Sequence, residues 1–192
     1  MRVFSIALLM SLASLASFTA HADMEIDGVR YAPTFTLDGK SLQLNGAASR
    51  YGKLGVRNFS VAVYAMQKAG TAAALVAEPG PKRIAFKFQR PMASDALRVL
   101  TRGVESNLDR GDFAKALGGV ARLGGLMGSH LSFADGDTLT LDYQPGLGTF
   151  FTINGKRDPE PVKEPEFFKA MLLIWVGDRP VDAQMKAGIL GG

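Results

Sequence analysis

Few residues of this 192-residue chain could make or break bonds. Cysteine is absent, which removes thiol nucleophiles, disulfides and cysteine-ligated metals. Of two histidines, His21 falls in the leader described below and His130 closes a glycine-rich stretch as Gly128-Ser129-His130. A serine-histidine pair needs its nucleophile on a tight strand-to-helix turn of the form GxSxG, and no such context surrounds Ser129. His130 therefore reads as a helix-end residue near solvent. One histidine without cysteine leaves carboxylates as the metal donors. Asp135-Gly136-Asp137 lacks the spaced acids and closing glutamate of a calcium loop and reads as a turn. Asp158 with Glu160, and Glu164 with Glu166, resemble acid pairs, but they sit in the proline-punctuated approach to a helix, where acids favour the positive end of the helix dipole. Gly146-Leu147-Gly148 lacks the third glycine, the lysine and the helix of a phosphate loop. Asn58-Phe59-Ser60 fits a glycosylation triplet but lies inside a predicted strand rather than an exposed loop. No metal and no cofactor is implied.

What remains is a cation. Arg50 follows Asn45-Gly46, a dipeptide that predicts a turn because both residues tolerate positive φ. A lone arginine beside a turn is commonly a surface residue. Arg50 enters a sheet at the point where the chain turns inward, and a guanidinium keeps its charge there and presents a planar fork of donors. Partial burial without an anion would be costly.

The elements that would position Arg50 are strands. Residues 57–66 alternate Phe59, Val61, Val63 and Ala65 against Asn58, Ser60, Ala62, Tyr64 and Met66, with both faces partly apolar, which predicts a strand covered on two sides. Residues 82–90 set Ile84, Phe86 and Phe88 against Arg83, Lys87 and Gln89, as expected of an antiparallel strand wet on one side. Residues 137–143 and 149–154 predict a hairpin, with Asn154-Gly155 as a further turn. Residues 25–37 and 41–44 carry weaker strand signals. Pro79-Gly80-Pro81 is a turn after a short helical stretch, 71–78.

Helices are predicted by apolar residues three and four apart. Ser94 is a candidate N-cap for a helix carrying Leu97, Leu100, Val104 and Leu108. Asp112 can start a second, with Phe113, Leu117, Val120 and Ala121 on one stripe. Its later half should be irregular or mobile, since Gly118, Gly119, Gly124 and Gly125 each cost ~1 kcal/mol relative to alanine. Pro165 begins a third, placing Phe167, Met171, Leu172 and Trp175 along one side. Helices cluster rather than alternate with strands, so the expected class is α+β, a mostly antiparallel sheet with helices packed on one face.

Residues 1–22 read as a signal peptide: Arg2, an apolar run from Val3 to Leu15, and a small-x-small site at Ala20-His21-Ala22. No later run approaches the ~20 apolar residues of a membrane span. The mature chain, 23–192, is then a single exported domain, periplasmic or secreted, with Asp23 first. Losing the leader removes Arg2 and no acid, so the formal charge falls from +4 to +3. That is too slight a balance to imply nucleic acid as a partner.

Two motifs carry a family resemblance. Gly46-Ala47-Ala48-Ser49-Arg50 followed by a strand ending Val63-Tyr64, and the late run Ile174-Trp175-Val176-Gly177-Asp178-Arg179-Pro180-Val181-Asp182 with Gly188-Ile189-Leu190-Gly191, resemble chalcone isomerase-like proteins of the bacterial exported branch. That family includes plant chalcone-flavanone isomerases and fatty-acid-binding proteins, and the resemblance implies an open-faced β-sandwich. It implies that Arg50 looks into a cleft between sheet and helices, pairing with a ligand carboxylate in the fatty-acid binders and positioning a phenolate in the isomerases. The isomerases add a strand threonine, a helical tyrosine followed by an asparagine, and a late threonine or serine. Asn107 matches the asparagine, Leu100 replaces the tyrosine and Ile174 the late hydroxyl. The strand threonine falls on Phe59, or on Ser60 if the register slips by one; Tyr64 shares a face with Ser60. The candidate ligand-binding residues are thus Arg50, Ser60, Tyr64 and Asn107, with Arg50 and Asn107 the candidates should any catalysis remain. With polar groups replaced by aliphatic ones, the resemblance favours a non-catalytic binder of a small amphipathic anion such as a fatty acid. The alternatives are an intramolecular lyase of the chalcone-flavanone type and an envelope interaction protein with a vestigial cleft.

Overall fold

The computed structural model describes residues 23–91, 96–129 and 133–191. The leader, Ser94 and His130 lie outside the described residues. The alternating segments form one curled antiparallel sheet of seven strands in sequence order: β3 (Thr34–Leu37), β4 (Lys40–Tyr51), β5 (Arg57–Ala65), β6 (Lys82–Phe88), β7 (Thr138–Gln144), β8 (Gly148–Ile153) and β9 (Lys156–Arg157). Two further strands, β1 (Met24–Ile26) and β2 (Val29–Tyr31), form a separate ribbon. Between β5 and β6 lies α1 (Ala72–Ala77), between β6 and β7 lie α2 (Ala96–Asn107) and α3 (Arg110–Ser129), and after β9 come α4 (Pro165–Val176) and α5 (Ala183–Ile189). The class expected from the sequence, α+β with helices against one face, is the one observed.

Alternation sorts the side chains into two layers. Phe59, Val61 and Val63 of β5, Ile84, Phe86 and Phe88 of β6, and Leu139 and Leu141 of β7 face the helices and join Val104, Leu123, Phe167, Met171 and Trp175 in the main core. On the opposite face Ala62 and Tyr64 join Tyr31, Leu37, Leu42, Leu44 and Ala47 in a smaller second core. β5 is therefore covered on both sides, which is why each of its faces is apolar. On that second face Arg83 makes a two-pronged bond to the buried carboxylate of Asp142, 2.5 and 2.7 Å, in a register that pairs the two residues. A buried carboxylate is tolerated where a fixed guanidinium satisfies both oxygens.

Three expectations are corrected. Asn45-Gly46 is no turn: both residues lie within the continuous strand β4, which also absorbs 41–44. Leu44 pairs with Tyr64 and Gly46 with Val63, so Asn45 is the extra residue of a β-bulge. That one insertion reverses the parity of β4: Leu42, Leu44 and Ala47 share the second core, while Ala48 belongs to the main core. Residues 25–37 form three short strands rather than one, because Asp27-Gly28 turns the chain with φ of 51° and 78°. Finally, α3 is an unbroken helix of 20 residues despite its glycines. A Cβ on Gly119 would come within 2.4 Å of Phe167, so this glycine lets α3 lie close against α4, and packing outweighs intrinsic propensity.

Candidate functional site

A cavity of about 480 Å³ lies between the sheet and the helices. Its floor comes from Phe59 of β5, Phe86 and Phe88 of β6, and Leu139 and Leu141 of β7. Val99 and Leu100 of α2, Leu123 and Met127 of α3, and Met171 and Trp175 of α4 roof it. Aromatic packing fixes the floor: the Trp175 ring meets Phe59 edge-on at 5.9 Å and Phe86 at 5.7 Å. Edge-to-face pairs of this kind hold ring orientation as well as burying area.

Polar groups gather at one end. Arg50, directly across from Phe59 in the β4–β5 register, lines the cavity with its side chain 35% exposed, and Asn58, Arg90 and Pro91 line the same wall. The bulge at Asn45 puts Arg50 there, since without it residue 50 would point into the second core. The Arg50 Nη1 donates to Asp182 Oδ2 at 2.7 Å. Asp182 is also the N-cap of α5: its Oδ1 accepts from the amides of Gln184 and Met185, 2.8 and 3.2 Å away. One carboxylate thus holds the guanidinium and starts the helix.

Of the four candidate residues, Arg50 alone lines the cavity. The register question is resolved in favour of Phe59. Ser60 is fully buried on the other face, bonded to the Tyr31 hydroxyl at 2.7 Å, and burial holds that phenol well above its usual pKa. Tyr64, on the same face, donates to the carbonyl of Ala32, and burial pushes its pKa up to about 12. Both phenols stay neutral and turned away from the cavity. Asn107 is also otherwise engaged: Nδ2 donates to the carbonyls of Gly103 and Arg179 and Oδ1 accepts from the Arg179 amide, each at 2.9 Å. It clamps the turn after α4 onto the end of α2. Leu100 stands in the cavity wall, whereas Ile174 is buried against Gly103. Hence no hydroxyl or amide from the predicted set accompanies Arg50. Sequence reasoning missed Arg90 and Asp182; Asp182 was visible as an N-cap residue two positions past Pro180, but its pairing with Arg50 spans 132 residues.

A second, more open cavity of about 360 Å³ is edged by Lys82, Glu78, Asp112, Glu166 and Lys169. Its charges satisfy one another. Lys82, its pKa lowered chiefly by burial, bonds to the Glu78 and Gly80 carbonyls, and Asp112 and Glu166 pair with Lys169 and Lys115. Asp158 and Glu160, the other acid pair, both hold Arg122. Among the described residues no cluster is placed to hold a metal ion, and no helix is long and apolar enough to cross a membrane.

A curled antiparallel sheet roofed by helices, with an apolar cavity and a cation at its mouth, defines the architecture of a chalcone isomerase-like protein. The sequence profile of chalcone isomerase-like proteins matches residues 23–191, and the chain belongs to that family. Among solved structures it resembles the fatty-acid-binding protein AtFAP1 of Arabidopsis thaliana, with a TM-score of 0.63 at 13% identity over 88% of this chain and 96% of that one. No curated protein matches it by sequence.

Proposed function

We propose that this protein binds a small amphipathic anion such as a fatty acid, its tail among Phe59, Phe86, Leu100 and Trp175 and its head group at Arg50. The observation that carries this reading is the distribution of polarity: among the described residues that line it the wall is largely apolar, and the charges there, Arg50 and Arg90, are both cationic. Its volume falls in the range of small-ligand sites. The similarity to a fatty-acid-binding protein supports the same reading. An isomerase would need donors aimed at a developing oxyanion, where loss of one typically costs ~10²–10³ in rate, and Leu100 supplies none.

Mass spectrometry of material extracted from the purified protein should reveal a co-purified carboxylic acid. In titration, each added methylene of a saturated acid should tighten binding about fourfold, from ~0.8 kcal/mol per buried CH₂, until the cavity is full. Arg50→Ala should weaken binding of the acid by roughly ten- to a hundredfold, the ~1.5–3 kcal/mol of a hydrogen bond to a charged group. Arg50→Lys should recover part of it. The methyl ester should bind wild type weakly and the alanine variant equally. Equal binding of acid and ester by wild type would remove Arg50 as the anchor. Turnover of a hydroxychalcone abolished by Arg50→Ala would instead establish an isomerase, and an empty protein that binds neither would favour an interaction role.

The reading includes export: the mature chain should begin at Asp23 outside the cytoplasm. Intact mass of the protein from an exporting host checks this, and a chain retaining Met1 would refute it.

A further inference from the structure

Among the described residues, three charges stand at the mouth of the cavity. Two line the wall, Arg50 and Arg90, and the third is Asp182, which sits behind Arg50 and takes its Nη1 at 2.7 Å. Arg90 is exposed, and among the described residues it has no ion-pair or hydrogen-bond partner. The cations therefore differ: Asp182 pairs with Arg50 from within the fold, and among the described residues nothing pairs with Arg90. Asp182 cannot readily swing away, because its second oxygen caps two amides of α5. An incoming carboxylate that reaches Arg50 must share the guanidinium with Asp182, and two carboxylates on one cation repel each other unless a second cation balances them.

Resting on the proposed reading of this cavity, we infer that Asp182 and Arg90 set its head-group specificity: Asp182 attenuates Arg50, Arg90 supplies the balancing charge, and the mouth selects a monoanionic carboxylate over both a neutral head and a phosphate dianion. The charge count carries the selection. Among the described residues, two arginines and one aspartate leave one positive charge, which a carboxylate neutralises and a phosphate monoester overshoots. Arg50 retains free N–H groups beyond the one given to Asp182, so it can still hold one oxygen of the ligand while Arg90 takes the other. Asp182 touches no ligand in this scheme; it acts through Arg50 as a positioning and attenuating residue.

The test uses the full-length mature chain, with lauric acid, methyl laurate and dodecyl phosphate as probes at low salt and neutral pH. Asp182→Asn keeps an oxygen for the α5 cap and removes the charge; Asp182→Ser, another good capping residue, is the companion variant should the asparagine perturb the helix. Both should bind lauric acid about tenfold more tightly than wild type, gain more for dodecyl phosphate than for lauric acid, and leave methyl laurate unchanged. Arg90→Ala should weaken lauric acid about tenfold and methyl laurate hardly at all. In the double variant Asp182→Asn with Arg90→Ala the two effects should largely cancel. Unchanged or weakened acid binding in folded Asp182→Asn and Asp182→Ser, or acid binding indifferent to Arg90→Ala, would overturn this inference while an Arg50-dependent preference for acid over ester kept the binding reading intact. If acid and ester bind wild type alike, the binding reading itself fails and this inference fails with it.

Discussion

Trp175→Ala is expected to destabilise the protein by ~3–5 kcal/mol, the cost of emptying a large buried aromatic site. Trp175 is 4% exposed and lies at the interface between α4 and the sheet, edge-on to two phenylalanines. For a chain of this size the corresponding drop in melting temperature is on the order of 10 °C. Trp175→Phe, which keeps an aromatic ring against Phe59 and Phe86, should lose much less. The vacated space joins the existing cavity rather than closing, because Trp175 is part of its wall. The alanine variant should therefore accept bulkier tails that wild type excludes, even as it becomes less stable. As Trp175 is the sole tryptophan, its emission should also shift when an acyl tail enters the wild-type cavity. Chemical denaturation of the variants and emission spectra during titration give both results. A melting transition unmoved by Trp175→Ala would place α4 outside the core, and emission unmoved by a bound ligand would place the tail elsewhere.

How much of this was legible in the sequence depended on the range over which each signal acts. Alternation in β5 and β6 is local and strong, and it correctly separated Phe86 and Phe88 from Arg83 and Lys87. The stripe Phe167, Met171 and Trp175 was equally local, and α4 begins at Pro165 as its chemistry requires. Turn chemistry was legible where φ is positive: Asn154 and Gly155, at 49° and 78°, make the turn expected of them. The same dipeptide type misled at Asn45-Gly46, where neither residue has positive φ. There the fold uses the asparagine for its amide and the glycine for its missing Cβ, and both uses depend on α5, more than 130 residues away in sequence. The site shows the same division. Arg50 was found through motif likeness, whereas its partner Asp182 and the second cation Arg90 reach the mouth through tertiary structure that no spacing encodes. Ser60 and Tyr64 failed as cavity residues because period-two geometry permits no compromise: with Phe59 inside, Ser60 must be outside.

Gly46→Ala is expected to destabilise the chain at the upper end of the ~1–3 kcal/mol typical of overpacking, and to disturb the head-group discrimination of the site with it. An added Cβ would sit 2.3 Å from the carbonyl oxygen of Gly188 and 2.5 Å from that of Ile189. Both are backbone atoms, so relief requires α5 or β4 to move rather than a side chain to rotate. Neighbouring Asn45 ties the same two elements from the other direction. Its Nδ2 donates to the carbonyls of Ile189 and Ala69 at 2.7 and 3.1 Å, and its Oδ1 accepts from the Ala69 amide at 2.6 Å. Asn45→Ala strands those buried groups at ~1–3 kcal/mol for each left without a partner, and Asn45→Asp, which sets a buried carboxylate oxygen against the same two carbonyls, should cost at least as much. The bulge thus serves two ends: it turns Arg50 toward the cavity and it receives the end of α5, whose first residue is capped by the aspartate bound to Arg50. Pushing α5 away from Gly46 should therefore loosen Asp182 from Arg50, so that Gly46→Ala alters the acid-to-ester binding ratio as well as the denaturation midpoint. A stable Gly46→Ala protein with wild-type discrimination between acid and ester would show that α5 and the arginine are not mechanically linked.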